Sequence, residues 1–138
     1  MKRLIIPLVL ILLSGCTALL ATTDPVQDND QLAPLLVTNV SEPLVFSIDN
    51  PKNEEATFGV PFSLSMFEDD QWKPIPMKEQ MAFILIAYIL NPNESVQETI
   101  DLSFYYDGLN DGLYRITKLL YYDDETIEYH IEFQIITS

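Results

Sequence analysis

The chain has 138 residues, with 21 acidic side chains against 7 basic ones, a formal charge of −14, one cysteine and one histidine. That length fits one domain of ordinary size. So acidic a balance excludes nucleic acid as a partner, because gripping phosphates needs a basic patch.

The chain opens on Met1, Lys2 and Arg3, a short basic start, followed by the uncharged apolar run Leu4–Leu13 and then Leu13-Ser14-Gly15-Cys16. Ten residues of helix rise only about 15 Å, half of a hydrocarbon core, so the run is too short to span a membrane. A basic start, a short apolar stretch and small residues at the cut describe a signal peptide that is removed, here residues 1–15. Leu-Ser-Gly-Cys resembles the bacterial lipobox. The resemblance implies that the Cys16 thiol is alkylated by diacylglycerol, that cleavage falls between Gly15 and Cys16, and that acyl chains such as palmitate hold the protein to the cell membrane. A thiolate suits that role because it is nucleophilic near neutral pH. Cys16 is also the only cysteine, so it has no disulfide partner within the chain, and lipidation accounts for an otherwise odd thiol.

Removing residues 1–15 from 138 leaves 123, and losing Lys2 and Arg3 takes the charge from −14 to −16. The remaining cations are Lys52, Lys73, Lys78, Arg115 and Lys118. Charge does not draw such a body to an anionic bilayer, so the lipid must do the holding. Residues 16–34, rich in Thr, Asp, Asn and Gln and without aromatics, predict a flexible tether.

From residue 35 to residue 138 the pattern has period two. Leu44, Phe46 and Ile48 alternate with Val45, Ser47 and Asp49, and the run ends at the turn Asn50-Pro51-Lys52-Asn53. Phe62, Leu64 and Met66 form the next apolar row, before Glu68-Asp69-Asp70-Gln71 turns the chain into Trp72. Met81–Leu90 is a continuous apolar run whose Phe, Tyr and three Ile favour a strand covered on both faces, with a short buried helix as the alternative. Val96–Leu102 alternates again. Leu113–Tyr122 and Thr126–Thr137 flank Asp123-Asp124-Glu125 and predict a hairpin. Its second strand sets Ile127, Tyr129, Ile131, Phe133 and Ile135 on one face, with Glu128, His130, Glu132 and Gln134 on the other. A one-residue slip would expose all five apolar side chains, so the register is strongly specified. Prolines from Pro34 to Pro92 break most helical candidates. About seven short strands in roughly a hundred residues predict an all-β antiparallel sandwich, with Phe46, Ile48, Leu64, Ile116, Tyr129, Ile131 and Phe133 in its core and Ile131 fully buried.

Three stretches then resemble a bacterial immunoglobulin-like domain family found in lipoproteins and secreted proteins of Gram-positive bacteria. They are Thr57-Phe58-Gly59-Val60-Pro61-Phe62-Ser63-Leu64 with Gln71-Trp72; Ala82-Phe83 with Ala87-Tyr88-Ile89-Leu90-Asn91-Pro92; and Leu109–Lys118. Their order and spacing agree with the family. Asn93 stands where the family usually has Gly, and Asn tolerates the positive φ of a turn; Asp107 looks like an insertion. No cysteine pair flanks the Trp, so the disulfide-pinned antibody type is excluded. The resemblance implies an immunoglobulin-like fold and a surface location, and no reaction, since a sandwich hosts many functions. It also makes Tyr114 similar to the tyrosine corner of such sandwiches, whose phenol bonds back to the loop before it. Trp72 is read as packing at a hairpin edge, with a binding anchor as the alternative.

Catalytic constellations do not stand out. His130, the only histidine, falls on the solvent face beside Glu128 and Glu132, and no nucleophile-elbow, phosphate-loop or zinc-helix motif is present. Asp107–Gly112 has Gly at the sixth position of a calcium loop, but Leu109 occupies a ligand place and no Glu follows at the right distance, which predicts a plain turn. The sequence therefore predicts no catalytic, cofactor or metal residues. It predicts a lipid-anchored, non-enzymatic module facing outside the cytoplasm and binding an unidentified protein or envelope component. The alternative is a protease-inhibitor-like domain resembling the small intracellular proteinase inhibitors of bacilli, which would require an exposed, rigid loop.

Overall fold

A computed structural model describes residues 34–137. The signal-peptide and tether readings, with Gly15 and Cys16, lie outside the described residues apart from Pro34.

Among the described residues, nine strands follow one another: β1 (Leu35–Val37), β2 (Leu44–Asp49), β3 (Ala56–Gly59), β4 (Ser63–Glu68), β5 (Gln71–Ile75), β6 (Ala87–Leu90), β7 (Ser95–Ile100), β8 (Gly112–Tyr121) and β9 (Thr126–Ile135). A single helical turn, α1 (Leu102–Tyr105), separates β7 from β8 and is capped by the Asp101 side chain on the Phe104 N–H. The expected all-β sandwich is what forms, with two more strands than the alternation predicted. β1 and β3 are three and four residues long, too short to show a period.

Strands β2 and β7 pair with each other, and the other seven make the larger sheet. Its order is β1-β9-β8-β3-β6, and β4 joins the first half of β8 while carrying β5 on its far side. All pairs are antiparallel except β1 with β9, which is parallel and spans only Leu35–Val37 against Phe133–Ile135.

The expected hairpin is β8–β9, paired from Gly112↔Ile135 to Tyr121↔Thr126 and closed by the Tyr122 N–H on Glu125 O at 2.8 Å. Between β4 and β5, Asp69 and Asp70 both take positive φ, 52° and 58°, the conformation that lets a two-residue turn match the twist of its strands. Asn93 also takes positive φ, 58°. It therefore does the work of the glycine it replaces.

The period-two pattern decides the core. Leu44, Phe46 and Ile48 from β2 meet Phe58, Leu64, Tyr114, Ile116, Leu120, Phe133 and Ile135 from the larger sheet. Asn50, also buried, ties the layers together: its amide donates to the carbonyls of Glu54, Leu90 and Asn91, and its Oδ1 accepts from the Tyr122 hydroxyl at 2.8 Å. A buried amide so thoroughly paired helps specify one alignment of the two layers.

Two burial expectations need correction. Tyr129 and Ile131 point inward but are only partly buried. β1 covers β9 no further back than Phe133, so the first half of β9 is a sheet edge. The larger correction concerns Met81–Leu90. Residues 81–86 form no strand, β6 starts only at Ala87, and every residue from Ile84 to Ile89 is exposed. Among the described residues, β6 has β3 on one side and no strand on the other.

Candidate interaction surface

Ile84, Leu85 and Ile86 lead into β6 with exposures of 64, 93 and 44%. Upstream, Phe83 roots this segment in the aromatic group of Phe62 (5.2 Å) and Tyr105 (5.3 Å). Downstream, β6 lies on β3 through Ala56↔Leu90, Thr57↔Ile89, Phe58↔Tyr88 and Gly59↔Ala87. Leu90 and Tyr88 share the inner face with Phe58, and Leu90 is wholly buried. Ile89, 63% exposed, stands on the outer face. The same face carries Leu119 and Tyr121 from β8, both exposed, and Tyr121 is paired with Thr57. Between the Ile84–Ile86 segment and these side chains lies an apolar hollow of about 280 Å³, bordered by Gly59, Pro61, Leu85, Leu119 and Tyr121. Gly59 lets the strands close: a Cβ there would sit 3.0 Å from Pro61 Cδ and 3.3 Å from Ile86 O. An apolar edge and face left open to water is the mark of an interaction site.

A second hollow, about 290 Å³, opens where Phe62, Tyr88, Phe104 and Tyr105 approach Glu98 and Asp101. Its carboxylates are already engaged. Asp101 accepts from Ser103 Oγ at 2.7 Å and from the Phe104 N–H at 3.1 Å, and the Ser103 hydroxyl is the main reason its pKa is lowered.

Glu98 holds the one buried cation among the described residues. Lys118 is 1% exposed, and its Nζ donates to Glu98 Oε2 at 2.5 Å. Burial lowers the lysine pKa, and Glu98 works against that shift. An ammonium taken from water requires such a partner. The pair was not read from the sequence, although a signal existed. Lys118 has the parity of Tyr114, Ile116 and Leu120, and Glu98 that of Val96 and Ile100, so both are placed inward with opposite charges.

Tyr114 is a tyrosine corner. Its hydroxyl donates to Asn110 O at 2.7 Å and accepts from the Asn110 N–H at 3.1 Å, and its ring stacks on Phe133 at 5.6 Å. Trp72 is half-buried on β5, with Phe67 at 5.2 Å and the Arg115 guanidinium over its ring at 3.9 Å. Arg115 also holds Glu132 at 2.6 Å. Packing thus occupies the Trp72 ring.

His130 points outward as expected. Its Nδ1 meets Thr117 Oγ1 at 3.0 Å and its Nε2 lies 3.5 Å from Glu128. Partial desolvation, with a contribution from the Arg115 charge, lowers its pKa; Glu128 and Glu132 pull the other way.

The carboxylates of Asp107–Gly112 point to separate partners. Asp107 pairs with Lys78 at 3.0 Å, and Asp111 accepts from the N–H and hydroxyl of Thr137 at 2.8 and 2.6 Å. Glu54, Asp124 and Glu125 bring carboxylate oxygens within 4.8 Å of one another. Lys52 supplies the counter-charge there, pairing with Glu54 at 3.3 Å and with Glu125 while its Nζ lies 4.3 Å from the Tyr122 ring centroid.

Two facing β-layers, a tyrosine corner and a Trp on a neighbouring strand define an immunoglobulin-like sandwich. The chain belongs to the bacterial Ig-like domain family, whose model matches residues 36–134. No curated protein and no solved structure shows a significant match. No helix among the described residues is long and apolar enough to cross a membrane.

Proposed function

We propose that this protein is a lipid-anchored module outside the cytoplasm that performs no reaction and acts by binding another component of the cell envelope. The observation that carries the reading is the uncovered apolar strip from Ile84 to Ile89 on an otherwise acidic domain. A water-exposed apolar strip of this kind is stabilised when a partner covers it. The family supports the address, since bacterial Ig-like domains are generally extracellular. The Leu13–Cys16 pattern supports the anchor.

Cys16→Ser tests the anchor. Membrane retention, signal cleavage and incorporation of labelled fatty acid should all be lost, while residues 35–138 still fold. Unchanged membrane fractionation would overturn it. Covalent capture from intact membranes tests the binding role: an adduct formed through the Ile84–Ile89 strip supports it, and a strip that captures nothing contradicts it.

The inhibitor reading is favoured by one observation, the Leu85 side chain at 93% exposure on a segment rooted by Phe83. An inhibitor would block a protease with an apolar specificity pocket at stoichiometric amounts and lose that effect on Leu85→Asp. Failure to inhibit such proteases dismisses it.

A further inference from the structure

The β6 edge differs from the other edges of the larger sheet. β1 is only three residues long, β5 carries Lys73 and Pro74, and the open first half of β9 carries Glu128, His130 and Glu132, devices that blunt pairing with another chain. β6, at four residues, is short as well, but it carries no charge and no proline, and residues 81–93 contain no charged side chain. We infer that the occupant of this edge is a second copy of the same chain, paired β6 to β6 in antiparallel fashion about a two-fold axis near Tyr88. The inference rests on reading the strip as an interaction surface, and it names what pairs with its edge.

Three features favour a copy. A two-fold axis pairs a patch with itself and makes the strands antiparallel. Set normal to the sheet, it keeps inward residues inward and outward residues outward, so the two outer strips join into one. Charge agrees with that direction. The acidic residues lie beyond the Leu90 end, at Glu54, Glu55 and Glu94, and antiparallel pairing sets that end against the partner's uncharged Met81–Ile86 rather than against its own copy. Area agrees as well. Ile84, Leu85, Ile86, Tyr88 and Ile89 expose roughly 600 Å² if each offers about 200 Å² when bare. A stable interface needs about 800 Å² per partner, and the main chain of the edge supplies the remainder.

Single engineered cysteines in the full chain, treated in membranes with a short bismaleimide, test this directly. The wild type, carrying Cys16 alone, sets the background. Ile89→Cys should give an adduct of twice the monomer mass. Leu36→Cys, equally accessible on β1 at the opposite edge, should give several-fold less. Adding Leu85→Lys to Ile89→Cys should cut the yield several-fold without loss of folded protein, since Leu85 has almost no packing to lose. Equal yields from Ile89→Cys and Leu36→Cys would reveal chance collision and overturn the pairing. An adduct of any other mass overturns the second copy and leaves the interaction reading standing. No adduct at all overturns both.

Discussion

The β8–β9 hairpin and the Met81–Leu90 segment are comparably rich in large apolar side chains, yet one builds the core and the other faces water. In the hairpin, every second residue points inward, Lys118 being the one charged member, and the row runs down into Tyr114, Ile116, Leu120, Phe133 and Ile135, all buried. In the segment, nine consecutive residues are left at least partly open to solvent, and Leu90 alone is buried. The difference lies in neighbours. β8 has β9 on one side and β3 and β4 on the other, with β2 and β7 over its inner face. β6 has only β3. Alternation reports which face of a strand is inward; it does not report how many strands flank it.

That contrast can be sharpened within β9 itself, where cover by β1 begins at Phe133. Phe133→Ala removes a ring stacked on Tyr114 in a fully buried site and should cost about 3–5 kcal/mol. Ile131→Ala, on the half-covered stretch, should cost about 2 kcal/mol, the low end for such truncations. Urea denaturation separates the two. Equal losses would mean that β9 is buried evenly and that the edge account of its first half is wrong.

Alkaline pH should also act through the hairpin side of the molecule. Burial raises the pKa of Tyr106 to about 12 and raises those of Tyr114, Tyr122 and Tyr129 above their ordinary value of 10.0. The folded state thus holds these phenols neutral at pH values where the unfolded chain has begun to ionise. Their contribution is complete below pH 10 and is lost as pH rises from about 10 toward 12. Lys118 works in the opposite sense, since its lowered pKa lets the fold shed that proton before the unfolded chain does. Four phenols against one amine predict a net fall. The melting temperature should drop steeply across that window, and a flat profile would contradict the burial of these side chains.

The smallest effect belongs to the outer face. His130→Ala removes a contact to Thr117 and a partly solvated ring, and it should change stability by no more than about 0.5 kcal/mol. A larger loss than that of Ile131→Ala would reverse the register of the hairpin.

What was legible in the sequence follows the same line. Period two placed the inward residues of β2, β8 and β9, and the turn at Asp69-Asp70 and the Asn93 turn were readable from residue chemistry. The tyrosine corner was legible because Tyr114 follows its loop at the spacing of the family. Lys118 and Glu98 were legible in parity but lie across the two layers, and one strand's pattern does not name its opposite. Met81–Leu90 was misread because a run without polar residues fits a strand covered on both faces and an uncovered edge equally well. The three residues of β1 are too few to show that they would cover only the end of β9. Composition sees the side chains of a strand; exposure depends on strands that are distant in sequence.

Two leucines five residues apart in the Met81–Leu90 run offer the most direct test of the central claim, that the run is an open edge touching the core only at its end. Leu85 is 93% exposed and Leu90 is 0% exposed. Measured by denaturation in dilute solution, Leu90→Ala should cost about 2–5 kcal/mol, as a buried leucine does. Leu85→Ala should stay within about 0.5 kcal/mol, as a surface site does. Comparable losses at the two positions would show a strand covered along its whole length and would contradict the account.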